Sequence, residues 1–119
     1  MNAPVARALV VDDDPALRLL YRVNLELEGF AVREAASVAA AEAEVEEERP
    51  DVVLLDVHLG DEDTLGLLDR LRADGIRVVL VTGSVDTGLY RDRADAIVSK
   101  PFDPPELIGI ARRLARVDA

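Results

Sequence analysis

The stretch Pro50-Asp51-Val52-Val53-Leu54-Leu55-Asp56 limits the fold more than any other part of the chain. Four consecutive branched apolar residues, bounded by a proline and a carboxylate, read as a short strand that is apolar on both alternating faces. Such a strand has to be covered from above and below, which makes it a central strand of a parallel sheet. Asp56 then stands at the carboxyl edge of that sheet, where open α/β folds place their ligands.

Other parts of the chain repeat the form. Ala8-Leu9-Val10-Val11 runs into Asp12-Asp13-Asp14-Pro15, a first strand followed by a helix start with Asp14 as cap and proline at the first helical position. Leu17, Leu20, Val23, Asn24 and Leu27 fall near helical spacing, and Gly29 is the expected stop. Phe30 to Glu34 is a second, weaker strand. Ser37 caps a helix that runs to about Arg49, whose apolar stripe of Ala39, Ala43 and Val45 is thin. Leu65, Leu67, Leu68 and Leu71 mark a third helix closed by Gly75, and Ile76 to Val81 a fourth strand ending at Thr82-Gly83. The segment from Val85 to Asp95 leaves space for a fourth helix that is short or irregular. Ala96 to Ser99 is a fifth strand ending at Lys100, and Asp103-Pro104-Pro105-Glu106 opens a last helix carrying Leu107, Ile110, Ala111 and Leu114. Strands and helices alternate five times, so the expected fold is a doubly wound α/β domain with a five-stranded parallel sheet, one domain over residues 1–119.

Composition excludes several functions. With 50% hydrophobic and 3% aromatic residues, the core is aliphatic. A net charge of −10 argues against holding a phosphate backbone or an anionic membrane surface, so neither nucleic acid nor membrane is an expected partner. There is no cysteine, hence no disulfide and no thiolate chemistry, which fits the cytoplasm. No apolar run approaches the roughly 18–20 residues of a membrane span.

The polar groups at the strand ends are the chemistry. Asp12 and Asp13 follow the first strand, Asp56 ends the third, Thr82 the fourth, and Lys100 follows the fifth; a parallel sheet lines these positions along one edge. Carboxylates gathered there repel, by about 4 kcal/mol for a pair about 4 Å apart at an effective dielectric near 20. A hard divalent cation such as Mg²⁺ relieves this with oxygen ligands. A hydroxyl and an ammonium beside it suit a phosphoryl group, with Asp56 as the nucleophile that becomes an acyl phosphate. Asp14 is assigned to capping, and the glutamates from Glu42 to Glu48 to a solvated face.

These residues, Leu9-Val10-Val11-Asp12-Asp13-Asp14-Pro15, Val53-Leu54-Leu55-Asp56, Val81-Thr82-Gly83 and Lys100-Pro101-Phe102, taken in order, give a chain that resembles the CheY-like receiver domain of two-component response regulators. The resemblance implies a flavodoxin-like fold and a phosphoryl group accepted on Asp56 from a histidine kinase or phosphotransfer protein. It implies Mg²⁺ held by Asp12, Asp13, Asp56 and the main-chain carbonyl of His58, with Thr82 and Lys100 on the phosphoryl oxygens. It further implies a cis Lys100–Pro101 bond, a small Gly83 for phosphoryl access, no enzymatic activity beyond the domain's own phosphorylation and dephosphorylation, and a monomer or weak dimer. The chain departs from the family pattern at Gly60, Thr64 and Ile97, the last standing where many receivers carry a switching aromatic; Tyr90, the only aromatic of its segment, is assigned to packing. Two alternatives are weighed against this: a phosphatase of the haloacid-dehalogenase type with Asp12 as nucleophile, and a pseudo-receiver serving as a docking module.

Overall fold

The computed structural model describes residues 6–57, 64–83, 93–100 and 103–115. Strand β3 (Val52–Asp56), buried at every position, lies mid-sheet between β1 (Arg7–Val11) and β4 (Arg77–Thr82). Strands β2 (Ala31–Ala35) and β5 (Ala96–Ser99) take the edges, giving the order β2-β1-β3-β4-β5, and every pairing is parallel. Four helices accompany them among the described residues: α1 (Pro15–Leu27), α2 (Val38–Glu47), α3 (Thr64–Ala73) and α4 (Pro104–Ala115).

The alternation of the strands builds two cores. Val52 and Leu54 share a face with Val10, Val79, Val81 and Val98, covered by Tyr21 and Leu25 of α1 and by Leu107, Ile108 and Ala111 of α4. Val53 and Leu55 share the other with Leu9, Val11, Val78 and Leu80, covered by Ala41 of α2 and Leu67, Leu68 and Leu71 of α3. Each fully buried side chain of this size contributes about 1.5–3 kcal/mol, so β3 is the most costly strand to disturb.

The helix ends follow from their chemistry. Asp14 Oδ1 accepts from the Ala16 N–H at 2.9 Å, and Ser37 Oγ accepts from the Ala40 N–H at 3.0 Å. Gly29 and Gly75 adopt φ of 95° and 77°, which residues with a Cβ avoid. Beyond each, the chain folds back, Phe30 N–H to the Leu25 carbonyl at 3.1 Å and Ile76 N–H to the Leu71 carbonyl at 3.0 Å.

Two helices turn differently from their sequence patterns. In α1 the inward stripe is Leu17, Tyr21 and Leu25, whereas Leu19, Leu20, Val23 and Leu27 face solvent. The helix carries two apolar stripes, and spacing does not rank them. In α2 the packed side is Val38, Ala41 and Val45, while Ala39 and Ala43 are exposed. Of the segment expected to hold a short or irregular fourth helix, residues 85–92, with Tyr90, lie outside the described residues, as does the Lys100–Pro101 bond.

Candidate functional site

The strand register brings the polar ends together. Val11 pairs with Leu55, Asp56 with Val81, and Thr82 with Ser99. Asp12 therefore emerges beside Asp56, and Thr82 and Lys100 one step along. Hydrogen bonds beyond the strands keep the edge in order: Asp12 N–H to the Ala35 carbonyl at 3.1 Å, Val57 N–H to the Val81 carbonyl at 3.2 Å, and Lys100 N–H to the Thr82 carbonyl at 2.7 Å.

Asp12, Asp56 and Thr82 are buried, and Asp13 is exposed. Carboxylate oxygens of Asp12, Asp13 and Asp56 all lie within 4.8 Å of one another. Lys100 Nζ approaches Asp56 Oδ1 at 3.7 Å. One ammonium does not neutralise three carboxylates, and the imbalance shows in Asp12: burial first, then the charges of Asp56 and Asp13, push its pKa up to about 6, against the lowering effect of the Asp14 N–H and of Lys100. The Tyr21 phenol behind the cluster is pushed up as well, by burial and then by Asp12 and Asp56.

The donors suit a hard cation. Asp12 Oδ1 accepts from the Asp14 N–H at 2.9 Å, while its Oδ2 is buried without a hydrogen bond among the described residues. Three carboxylate oxygens gathered within 4.8 Å are the hard donors that Mg²⁺ takes. His58, whose carbonyl the resemblance adds to the ligand set, lies outside the described residues, as do Gly60 and Phe102. A Cβ built on Gly83 would meet nothing within 4 Å among the described residues. Thr64 is buried at the first turn of α3, and Ile97 is half-buried, paired with Leu80 and packed with the α2–α3 core.

Three residues near the site were not singled out from sequence. Arg18 Nη1 donates to the Asp12 carbonyl at 2.8 Å and its Nε to Glu34 Oε1 at 3.0 Å; Tyr21 closes the core beneath. An arginine four residues after a helix cap was the available signal, and it reads as an ordinary solvated side chain until β2 brings Glu34 beside it.

A doubly wound sheet of this strand order, with three acids, a hydroxyl and an ammonium at its carboxyl edge, places the chain among the open α/β domains that bind their ligands there. Comparison with known proteins narrows it. A family model described as the response regulator receiver domain matches residues 8–112, and the chain belongs to that family. It is 40% identical over 122 residues to the DNA-binding response regulator MtrA of Mycolicibacterium smegmatis, covering 98% of this chain and 53% of that protein. It is 33% identical to the DNA-binding dual master transcriptional regulator RpaA of Synechocystis, over 92% of this chain and 49% of that one. Among solved structures, a CheY-like response regulator receiver domain protein from Methanospirillum hungatei superposes with a TM-score of 0.83 at 31% identity, covering 93% of this chain and 94% of its own. The phosphatase and pseudo-receiver alternatives are not favoured by these likenesses.

One expectation is overturned. The acidic balance argues against nucleic acid as a direct partner, yet relatives matched over nearly the whole of this chain are named as DNA-binding regulators. The chain spans about half the length of those relatives. A net charge of −10 describes the surface of these 119 residues and carries no information about the rest of a regulator. No helix among the described residues is long and apolar enough to cross a membrane.

Proposed function

We propose that Asp56 is the phosphoacceptor of this receiver domain and that Asp12, Asp13 and Asp56 hold Mg²⁺ for the transfer. The carrying observation is the convergence of three carboxylates within 4.8 Å, with Lys100 Nζ 3.7 Å from Asp56. When bound, Mg²⁺ supplies positive charge that offsets the clustered acids and the transferred group. An Asp56 oxygen forms the new bond to phosphorus as the bond from phosphorus to the donor's imidazole nitrogen breaks, and the imidazole leaves with a proton from solvent. Lys100 neutralises a phosphoryl oxygen and the Thr82 hydroxyl donates to another. Asp56 is buried, which limits water at the acyl phosphate, and its slow hydrolysis resets the domain. The chemistry is self-directed, in the cytoplasm, with a histidine kinase or phosphotransfer protein as donor. By likeness to the DNA-binding relatives, the output this receiver controls is transcriptional.

Incubation with a small acyl phosphate and Mg²⁺, followed by mass spectrometry of peptides, tests the assignment. One phosphoryl group on Asp56, absent with chelator and in Asp56→Asn, is the expected result. Label on Asp12 in the unaltered protein contradicts it.

A further inference from the structure

The polar groups of Asp12 are accounted for one by one. Its N–H is held by the Ala35 carbonyl at 3.1 Å, its Oδ1 by the Asp14 N–H at 2.9 Å, and its carbonyl by Arg18 Nη1 at 2.8 Å. Oδ2 alone has no hydrogen bond among the described residues, and it belongs to the carboxylate that shares a cluster with Asp13 and Asp56. The Arg18 contact differs in kind from the others, being a charged donor on a main-chain oxygen. It leaves the ligand oxygens alone: among the hydrogen bonds described, Arg18 touches the peptide of Asp12 and not its carboxylate.

The guanidinium is itself fixed. Its Nε donates to Glu34 Oε1 at 3.0 Å, and Glu34 Oε2 is held by Arg22 Nη1 at 2.7 Å. Glu34 sits on β2 immediately before Ala35, the residue that takes the Asp12 N–H. Strand β2 thus holds Asp12 by both of its main-chain polar groups, the N–H directly through Ala35 and the carbonyl indirectly through Glu34 and Arg18. Charge-assisted bonds in a planar fork are the kind that hold geometry as well as energy.

We propose that Arg18, locked by Glu34, is a positioning residue for the metal site: it fixes the Asp12 main chain so that its carboxylate stays gathered with those of Asp13 and Asp56. Without the clamp, mutual repulsion of the three acids is free to rotate Asp12 outward before a cation arrives. Outer contacts that orient a ligand tune metal affinity in this way. The inference rests on the Mg²⁺ reading of the site.

Calorimetric titration with Mg²⁺, paired with thermal melting, on the unaltered chain, Arg18→Met, Arg18→Lys and Glu34→Gln tests it. Arg18→Met is expected to weaken Mg²⁺ binding about tenfold. Phosphorylation by a small acyl phosphate recovers its maximal rate when Mg²⁺ is raised to saturation. Arg18→Lys restores part of the affinity, since an ammonium reaches the carbonyl but does not hold both oxygens in one plane, and Glu34→Gln falls between. A lowered melting temperature with unchanged Mg²⁺ affinity overturns the proposal, leaving a tie between α1 and β2 only. Loss of the maximal rate at saturating Mg²⁺ also overturns it, by assigning Arg18 to the transfer itself. Should Arg18→Met fail to fold, Glu34→Gln and Arg18→Lys decide on the same criteria. Absence of Mg²⁺ binding in the unaltered protein overturns the metal reading and this proposal together, whereas equal binding in the unaltered and Arg18→Met proteins overturns this proposal alone.

Discussion

Burial and its acidic neighbours push up the pKa of Asp12, and its pH behaviour exposes the site. Its pKa rises from 3.8 to about 6 on folding. Between those values the folded chain retains a proton that the unfolded chain has released. Without metal, stability therefore falls as pH rises through that window. With Mg²⁺ the sign of the added effect reverses, because the cation takes only the deprotonated carboxylate. The increase in melting temperature on adding Mg²⁺ is expected to be full above about pH 6 and to fade below it; a pH-independent increase contradicts the role given to Asp12. Asp12→Asn removes the buried charge, so this variant is expected to melt higher than the unaltered protein without metal, by about 1–3 kcal/mol of stability, and to gain little from Mg²⁺. The identity of the acids was readable from sequence because each ends an apolar run. Their strain was not, since it depends on burial and on which oxygens already have partners.

At the scale of elements, strands were more legible than helix faces. β3 is buried on both sides, so its apolar run had no alternative orientation to choose. Helix α1 offered Leu17, Tyr21 and Leu25 against Leu20, Val23 and Leu27, and tertiary packing chose the first set. The Arg18–Glu34 contact belongs to that choice, as it needs α1 turned so that Arg18 overhangs the first loop. The contrast predicts two stability changes. Leu54→Ala, in the centre of β3, is expected to cost about 2–5 kcal/mol in urea unfolding. Leu27→Ser, at a side chain 78% exposed, is expected to stay within about 0.5 kcal/mol of the unaltered protein. Equal losses at the two positions contradict the packing described for α1.

For the molecule as a whole, the fold and the family were legible because four short motifs, at the ends of four strands, must meet once the sheet is parallel. The output was not, because net charge reports on the surface at hand and the relatives are about twice as long. The departures at Gly60 and Ile97 leave every acid, the hydroxyl and the amine of the site in the sequence. The proposed function therefore requires that the carboxyl edge take a phosphoryl-like anion together with Mg²⁺. Thermal melting with Mg²⁺ and beryllofluoride, on the unaltered chain and on Asp56→Asn, measures this most directly, since a ligand bound only by the folded state raises the transition. The unaltered chain is predicted to melt higher with both additives than with either alone, and Asp56→Asn to show no such gain. No gain in the unaltered chain, or an equal gain in Asp56→Asn, contradicts the account.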